Sequence, residues 1–396
     1  MIKESKTSKS VPISIIVPAR NCPDLLRTCL TYINHSQYTN FELIVVNDAS
    51  TDNTADIAIE LGAKVINLDK QSGPAKARNR GAEIARGKYV FFIDADVLVY
   101  PDTIEKVVTY FESHPDVDAL FGSYDVSPAA PNIMSQFKNL FHHFVHQQAR
   151  EEASTFWSGC GAVKREVFLK MGGFNTNYER PCIEDIELGL RMHKAGYRIV
   201  VHKEVQVKHL KMWTLWGMLK ADIKDRAIPW TELIMREKEL PNDLNLKLSQ
   251  RISALLSFGV IGAVMIEALN WHELFFLPLG ILFLIYLLDY WSIKHRVPNS
   301  IRILAVITIA IGIVTIFYFK MIWLIIAFLL TITIILLNYR LYLFFAKEKY
   351  WLFAILVIPL HIFYYIYSSL SFVSGILLYL WKSRRKGEAF SGSINT

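Results

Sequence analysis

The stretch Val90-Phe-Phe-Ile-Asp-Ala-Asp-Val-Leu-Val99 places two carboxylates, Asp94 and Asp96, directly after a run of apolar residues. Short apolar runs rich in β-branched and aromatic residues are typical of buried strands. Side chains two positions apart on a strand point the same way, so these carboxylates lie side by side. Such a pair suits a divalent cation that also binds phosphate oxygens. The structural alternative is one capping Asp beside a solvated one.

Strand-like and helix-like segments alternate around this stretch. The strand-like segments are Ile13–Val17, Phe41–Val46, Lys64–Leu68, Tyr89–Ile93 and Ala119–Phe121, and the helical ones lie near 23–35, 53–61, 75–86 and 101–113. This alternation predicts an α/β domain with a parallel sheet that has helices on both faces and binds ligands at the carboxyl ends of its strands. A phosphatase with a nucleophilic Asp is the competing interpretation of the motif. Three strands precede the motif here, whereas in those enzymes it comes near the start of the domain.

Two other strands also end in polar residues. A turn at 18–21 follows the first strand, and Asp48 follows the second. Asp48 either accepts a hydrogen bond from a base or ribose or serves as a turn residue or helix cap. Lys76, Arg78 and Arg80 lie at a helix start, where cations and the helix dipole favour an anion. A solvated basic face is the alternative for this segment.

The charge of the chain is divided unevenly. The formal net charge is +7 over 396 residues, with 32 basic and 31 acidic side chains in 1–251 and 11 and 5 in 252–396. The first part has no basic stripe, so we expect no nucleic-acid partner. Four cysteines without a CxxC pair indicate reduced thiols rather than a disulfide framework or zinc site.

The second part of the chain is mostly apolar. Uncharged runs occur at 252–266, 274–288, 303–319, 321–339 and 350–381, and predict four to six transmembrane helices within 251–381. Before them, 211–250 mixes Trp, Met and Leu with charged residues, as interfacial amphipathic helices do. Packing of these helices on the domain is the alternative.

Five single spans would place the basic tail, 382–396, on the side opposite the first domain, against the positive-inside rule. We therefore expect either that 350–381 folds back or that an earlier hairpin, with its turn at 270–273, is only partly inserted.

An ordered set of motifs resembles glycosyltransferase family 2, the inverting nucleotide-sugar transferases of GT-A fold, and in particular its membrane-anchored members. The motifs are IIVPARN (15–21), VVNDASTDNT (45–54), GPAKARNRGA (73–82), FIDADV (92–97), GCGAVKREVFLKMGGFN (159–175), IEDIELGLRMHKAGY (183–197) and VKHLK (207–211). The resemblance covers about 200 residues. It implies a cytosolic GT-A domain with a Rossmann-like mixed sheet over residues 1–210.

The same resemblance implies roles for individual residues. Donor binding falls to Pro18, Ala19, Arg20, Asn21, Asp48, Lys76, Arg78 and Asp94, and binding of Mg²⁺ or Mn²⁺ to Asp94, Asp96 and His209. Asp185, beside Glu184, becomes the general base, since an attacking hydroxyl must lose its proton to a positioned carboxylate. A helix-capping pair is the alternative. Asn47 stands where many members have a second Asp, which leaves the nucleotide preference open.

The acceptor side has weaker signals. We expect Trp157, Gly159, Gly161, Arg226 and Trp230 to face the acceptor, with Trp157 stacking on a sugar ring or packing in the core. His142, His143 and His146 form a zinc site, an acceptor contact or a packed helix face. Processive synthases of the family carry QxxRW on an interface helix; Pro229 replaces its Arg here.

The sequence thus predicts an integral protein of the cell (inner) membrane with a cytoplasmic catalytic domain. It moves a sugar from a nucleotide-sugar donor to a hydroxyl of a lipid or lipid-linked acceptor, by a metal-assisted single displacement. The alternatives are a processive polysaccharide synthase and a non-catalytic membrane protein with a degenerate transferase domain.

Overall fold

A computed structural model describes residues 11–238, 248–269, 298, 303–304, 307–308 and 322–392. These residues divide into two compact units. The first contains the described residues of Met1–Lys247, Lys347–Tyr350 and Tyr367–Thr396, and the second those of Leu248–Ala346 and Trp351–Ile366.

The first unit is built on an eight-stranded mixed sheet. Its strands are β1 (Ile13–Ala19), β2 (Phe41–Asn47), β3 (Lys64–Asn67), β4 (Tyr89–Ile93), β5 (Val97–Val99), β6 (Ala119–Tyr124), β7 (Cys160–Lys164) and β8 (Ile199–His209), in the order β3-β2-β1-β4-β7-β6-β8-β5. The strands β1 to β4 are parallel to one another. Their carboxyl ends therefore meet at one edge of the sheet, as the sequence predicts.

Helices cover both faces of this sheet. They are α1 (Pro23–Asn34), α2 (Thr54–Glu60), α3 (Pro74–Ile84), α4 (Thr103–Ser113), α5 (Ile133–Gln147), α6 (Arg165–Lys170) and α7 (Glu184–Lys194). Alternate residues of a strand serve opposite cores: Ile15 and Val17 pack in one buried cluster and Ile16 in the other. This two-sided burial explains the continuous apolar runs of the parallel strands.

The mixed α/β class is confirmed, and the five expected strands lie where their apolar runs place them. Sequence patterns did not locate β5, β7 and β8. The strand β7 runs antiparallel to both β4 and β6, β8 is parallel to β6, and β5 is antiparallel to β8, so the sheet is mixed rather than parallel throughout. The strand β5 has only three residues, and β7 contains a glycine, so neither gives a strong periodic signal.

A second helical layer follows β8. It consists of α8 (Leu215–Lys220), a π-helix (Ala221–Ala227) and α9 (Ile228–Glu237), joined without a break. Pro229 lies just after the π-helix and lacks the N–H that an α-helix would donate to residue 225. The wider π turn is a common response where the regular hydrogen-bond ladder is interrupted.

The second unit is formed by apolar helices. They are α10 (Leu248–Leu269), α11 (Ile322–Leu337), α12 (Tyr339–Glu348) and the first part of α13 (Trp351–Gly392). By length and composition, Leu248–Leu269 and Trp351–Arg384 are each long and apolar enough to cross a membrane. The pair α11 and α12, bent by 74°, qualifies as a third span if counted as one.

Buried polar groups join these helices. The Asn338 amide nitrogen donates to Ser253 Oγ at 2.9 Å, and the Tyr365 hydroxyl donates to Gln250 Oε1 at 2.7 Å. Such bonds between apolar helices fix their packing. The predicted hairpin turn at 270–273, the run 274–288 and most of 303–319 lie outside the described residues.

One topological expectation is wrong. The segment 350–381 does not fold back, because α13 continues as a single helix from Trp351 to Gly392 with Pro359 inside it. A proline near the start of a long helix removes one hydrogen bond without ending the helix when neighbours support it.

Candidate active site

The turns after β1 and β2 are locked together at the carboxyl edge of the sheet. Asn21 N–H donates to Ser50 Oγ at 3.0 Å, and Thr51 N–H donates to Asn21 Oδ1 at 2.9 Å. Asn21 and Ala49 both have positive φ, at 47° and 53°. Asn tolerates this left-handed region well, whereas Ala49 is strained there, so the surrounding contacts must hold the second turn in place. Of the predicted donor turn, Arg20 and Asn21 are exposed, whereas Ala19 is buried.

Asp48 holds the neighbouring loop. Its Oδ1 accepts the Ser72 N–H at 2.6 Å and its Oδ2 accepts the Gly73 N–H at 2.9 Å. A Cβ on Gly73 would lie 2.2 Å from the Glu179 carbonyl oxygen, so only glycine fits there. Each carboxylate oxygen retains a second lone pair for a ligand. Asp48 thus shapes the start of α3, and its predicted contact with the nucleoside stays a prediction.

Asn47, the departure from the family pattern, forms hydrogen bonds through both its amide oxygen and its amide nitrogen. Its Oδ1 accepts the Ser50 N–H at 3.1 Å, and its Nδ2 donates to Asn67 Oδ1 at 2.8 Å. A carboxylate at this position would have no donor for Asn67 in this arrangement.

Arg78 ties the two acidic motifs together. Its guanidinium donates to Asp94 Oδ1 at 2.6 Å and to Glu184 Oε1 at 3.0 Å, and its side chain is only 5% exposed. Glu184 Oε2 in turn accepts the Cys182 N–H at 2.8 Å. In the structure, therefore, Arg78 and Glu184 form a buried ion pair, which the partly exposed Asp94 joins. Lys76, on the same helix, is exposed.

Burial dominates the electrostatics of this cluster. It raises the pKa of Asp94, and the pKa of Glu184 is raised for the same reason, although the charge of Arg78 opposes both shifts. The charge of Asp185 adds to both increases, which places Asp185 near the cluster.

Asp96 faces His209. The carboxylate Oδ2 lies 3.5 Å from His209 Nε2, while His209 Nδ1 lies 2.7 Å from Asn139 Oδ1. Burial acts to raise the pKa of Asp96, but the hydrogen bond and charge of His209, with help from Lys211, bring it below the ordinary value.

This arrangement fits a divalent cation. With Nδ1–H donated to Asn139, Nε2 of His209 faces the Asp96 carboxylate, and a metal ion bound between the two would take the place of the proton that joins them. Carboxylate oxygen and imidazole nitrogen both ligate Mn²⁺, whereas Mg²⁺ prefers oxygen. Among the described residues, no group of three or more His, Cys, Asp and Glu is arranged to hold a metal ion. The protein side thus supplies few ligands, and donor phosphate oxygens would complete the shell.

Asp185 is held in place at the first turn of α7. Its Oδ2 accepts both the N–H and the hydroxyl of Ser158, at 3.0 and 3.1 Å, and its Oδ1 accepts the Ile186 N–H at 2.8 Å. The side chain is half-buried, unlike that of Glu184. Of the acidic pair, only Asp185 remains available to an acceptor.

The loop that carries Ser158 packs on itself. A Cβ on Gly159 would lie 2.7 Å from the Trp157 ring, and one on Gly161 would lie 2.2 Å from the Trp157 carbonyl oxygen. The two glycines therefore allow Trp157 and Phe156 to approach the backbone, and a close approach by a sugar is not needed to explain them. Trp157 also contacts the rings of Tyr124 and His142, at 4.9 and 4.8 Å between centroids.

The histidines of α5 anchor that helix on β6. His143 Nδ1 lies 2.6 Å from the Tyr124 carbonyl oxygen, and His146 Nδ1 lies 3.0 Å from that of Gly122. Burial lowers the pKa of His146 to about 4 and that of His142 well below its ordinary value. Of the three interpretations, a packed helix face describes His143 and His146 best.

Arg226 and Trp230 have different neighbours in the structure. The charge of Arg226 contributes to the low pKa values of His142 and His146, after burial, so it lies near the aromatic cluster. Trp230 instead packs with Ile183 and Leu190, beneath the helix that carries Asp185. Trp230 is thus placed to support α7.

Sequence reasoning missed Ser158 and Asn139. Neither belongs to an acidic or basic motif, and each acts by orienting a residue that does. The one sequence signal for Ser158 is its position directly before Gly159.

The structure thus brings together, in one α/β domain, the turns at the carboxyl edge of the sheet, the pair Asp94 and Asp96, and the oriented Asp185. Residues 14–172 match the sequence model of "Glycosyl transferase family 2", and residues 138–214 that of "N-terminal domain of galactosyltransferase". Residues 14–172 therefore form a domain of the glycosyltransferase family 2 type, built on the mixed sheet described above.

Two curated relatives illustrate the match. An uncharacterized glycosyltransferase, YibD, of Escherichia coli is 40% identical over 101 residues, covering 24% of this chain and 29% of the relative. A poly-β-1,6-N-acetyl-D-glucosamine synthase of Staphylococcus aureus is 25% identical over 221 residues, covering 54% and 53%. The chain thus spans less than two-thirds of either relative. Among solved structures, a mannosyltransferase from Pyrobaculum calidifontis in complex with GDP-Man and Mn²⁺ has a TM-score of 0.45 at 21% identity, over 57% of this chain and 64% of that one.

Proposed function

We propose that the protein is a membrane-bound, inverting glycosyltransferase. It transfers a sugar, of hexosyl type, from a nucleotide-sugar to a hydroxyl group of a lipid or lipid-linked acceptor. The observation that carries this proposal is Asp185, held by Ser158 at the same edge of the sheet as Asp94. The family 2 domain supports the donor class.

The reaction needs one base and one leaving group. The acceptor oxygen forms a bond to the anomeric carbon while the bond from that carbon to the diphosphate oxygen breaks. The electron pair leaves with the diphosphate, and the hydroxyl proton passes to the Asp185 carboxylate. Attack opposite the leaving group inverts the anomeric configuration. Ser158 fixes the carboxylate, so little reorganisation is needed during the step.

Asp96 and His209 would hold Mg²⁺ or Mn²⁺, with Asp94 beside them. The cation supplies positive charge that offsets the charge gained by the leaving diphosphate. Arg78 cannot supply this charge itself, because both Asp94 and Glu184 neutralise it. This division leaves Arg78 to position the two acidic motifs.

The acceptor class is inferred from the apolar helices. Two described helices are long and apolar enough to span a membrane, and the helical layer α8 to α9 belongs to the catalytic unit. An acceptor dissolved in the bilayer would meet the site at the membrane surface, with the catalytic domain in the cytoplasm of the cell (inner) membrane.

A processive polysaccharide synthase is the second candidate. The similarity to the staphylococcal synthase extends over about half of each chain and favours it. Trp230 retains one position of the QxxRW pattern, but Arg226 replaces its Gln, and Pro229, which follows a π turn, replaces its Arg. Mass spectrometry of the product distinguishes one added sugar from a polymer.

The test uses the purified full-length chain in detergent and a panel of nucleotide-sugars, with and without Mn²⁺. We expect one donor to bind in a metal-dependent way, and Asp96→Ala to abolish that dependence. Asp102→Ala is the matched control, because Asp102 is an exposed carboxylate of the same domain paired only with Lys106 in the described structure. Equal donor affinity of the wild type with and without metal would contradict the proposal.

A further inference from the structure

The carboxyl half of α13 packs on the catalytic unit. The Tyr367 hydroxyl donates to Asp222 Oδ2 at 2.7 Å, and Lys382 Nζ lies 2.6 Å from Glu232 Oε1. Between them, a Cβ on Gly375 would lie 2.6 Å from Thr231 Cβ, so the helices touch there. From Tyr367 onwards, α13 therefore runs beside the π-helix and α9.

These contacts conflict with a simple membrane span. Tyr367 lies near the middle of the apolar stretch Trp351–Arg384. Its partner Asp222 also forms a buried ion pair with Lys138 of α5, which packs on the sheet of the catalytic domain. Tyr367, in the middle of the apolar stretch, is thus hydrogen-bonded to the π-helix of the catalytic unit.

The remaining part is too short to cross alone. Residues 351–366 form a helix of about 24 Å at 1.5 Å per residue. The hydrocarbon core of a bilayer is about 30 Å thick.

The residues directly before α13, Lys347–Tyr350, also belong to the catalytic unit. The Glu348 carboxylate lies close enough to His143 to act on its pKa, which burial lowers. The segments on both sides of 351–366 therefore belong to the catalytic unit.

We propose that residues 367–384 lie along the membrane surface on the side of the catalytic domain, as an interfacial helix rather than half of a span. This inference rests on the membrane attachment in the proposed function. The exposed face of this helix then contacts the headgroup region of a bilayer.

The exposed face suits contact with that headgroup region. Leu370, Val373 and Leu377 are 54%, 53% and 61% exposed, and their spacing puts them on one side of the helix. Lys382 and Arg384 follow, as basic residues do on helices that bind anionic lipid. A second exposed apolar group in the same unit, Met212, Leu215 and Trp216, lies next to Lys211.

The proposal also resolves the charge problem. If 367–384 stays at the surface, the basic tail lies on the side of the catalytic domain. The positive-inside rule is then satisfied without a fold in 350–381.

Fluorescence quenching in lipid vesicles tests the depth of the helix. The full chain, with Cys22 and Cys182 replaced by Ser, carries one new labelled cysteine: Leu370→Cys, Leu377→Cys or the control Phe258→Cys in α10. We expect labels at 370 and 377 to be quenched more by spin labels at the headgroup than at the acyl-chain end. Phe258→Cys should show the reverse order.

Each other outcome has a defined meaning. Quenching at 370 by the acyl-chain label, as at 258, would show a span and overturn the proposal. Quenching by neither label at 370 and 377 would show that protein, such as a second copy, covers the face, which also overturns it. If the control at 258 were quenched by neither, the membrane attachment itself would fail.

Sidedness gives an independent measurement. Epitope tags at the two ends of the full chain are exposed to protease in sealed membrane vesicles. We expect both tags to be digested or both to be protected. Digestion of one tag alone would place the ends on opposite sides and overturn the proposal.

Discussion

Arg78→Met removes the cation that joins Asp94 and Glu184. The substitution keeps an unbranched apolar stem but removes the guanidinium, which leaves the buried Glu184 and the partly exposed Asp94 without their ion pair. Removing one partner of a buried ion pair costs about 3–5 kcal/mol, because the other charge stays desolvated. We expect a loss of that size in the free energy of unfolding of the catalytic unit.

The matched control is Arg80→Met, two positions along the same helix. Arg80 pairs with Glu83 at 2.7 Å, but both side chains are more than half exposed. Exposed pairs contribute about 0.2–1 kcal/mol. For a domain of 150–250 residues, 1 kcal/mol corresponds to about 2–4 °C in Tm, so Arg78→Met should lower Tm by about 6–20 °C and Arg80→Met by at most about 4 °C.

The pH dependence has a definite sign. The folded-state pKa values of Asp94 and Glu184 are already raised, mainly by burial, so protonation favours the folded state and ionisation at higher pH disfavours it. Without Arg78 both values rise further. The difference in stability between wild type and Arg78→Met should therefore be largest at neutral pH and shrink as the pH falls towards these pKa values.

Thermal unfolding of the detergent-solubilised full chain, followed by near-ultraviolet circular dichroism at several pH values, provides the assay. If Arg78→Met unfolded within 2 °C of Arg80→Met at neutral pH, the buried ion cluster would not have the role assigned to it.

Two further predictions concern the residues that orient the centre. Ser158→Ala removes one of the two hydrogen bonds that reach Asp185 Oδ2. We therefore expect kcat to fall about tenfold, which corresponds to about 1.4 kcal/mol, with donor affinity unchanged. Steady-state kinetics and donor titration check this, and a change in donor affinity alone would contradict it. His209→Gln removes an imidazole nitrogen that suits Mn²⁺ better than Mg²⁺, so donor binding should weaken more with Mn²⁺ than with Mg²⁺. Calorimetric titration of the donor in the presence of each metal measures the two losses of affinity. Equal losses would show that His209 is not a metal ligand.

The sheet edge was predictable because it depends on local patterns. An apolar strand followed by polar residues, as at Asp48 and Asp94, marks a carboxyl end without knowledge of the neighbours. The parallel arrangement of β1 to β4 follows from the helices between them. The resemblance to family 2 added the order in which these ends contribute to one site.

The partners of each side chain were not predictable in the same way. Arg78 and Glu184 are 106 positions apart, and only the folded chain shows that they meet. Lys76 and Arg78 look alike in sequence, yet one is exposed and the other buried, because α3 turns different faces to solvent and to the core. The course of α13 likewise depends on Asp222 and Tyr367, which are 145 positions apart.

Asp185→Asn tests the central claim most directly. The amide keeps the shape of the side chain but cannot take the proton of an acceptor hydroxyl. Donor affinity and sugar transfer to extracted lipids are measured on the same preparation, with Asp102→Asn as the control. We expect transfer to be abolished while metal-dependent donor affinity stays within about twofold of wild type, since in the proposed reaction Asp185 accepts the proton and does not hold the donor. Unchanged turnover of Asp185→Asn would contradict the account.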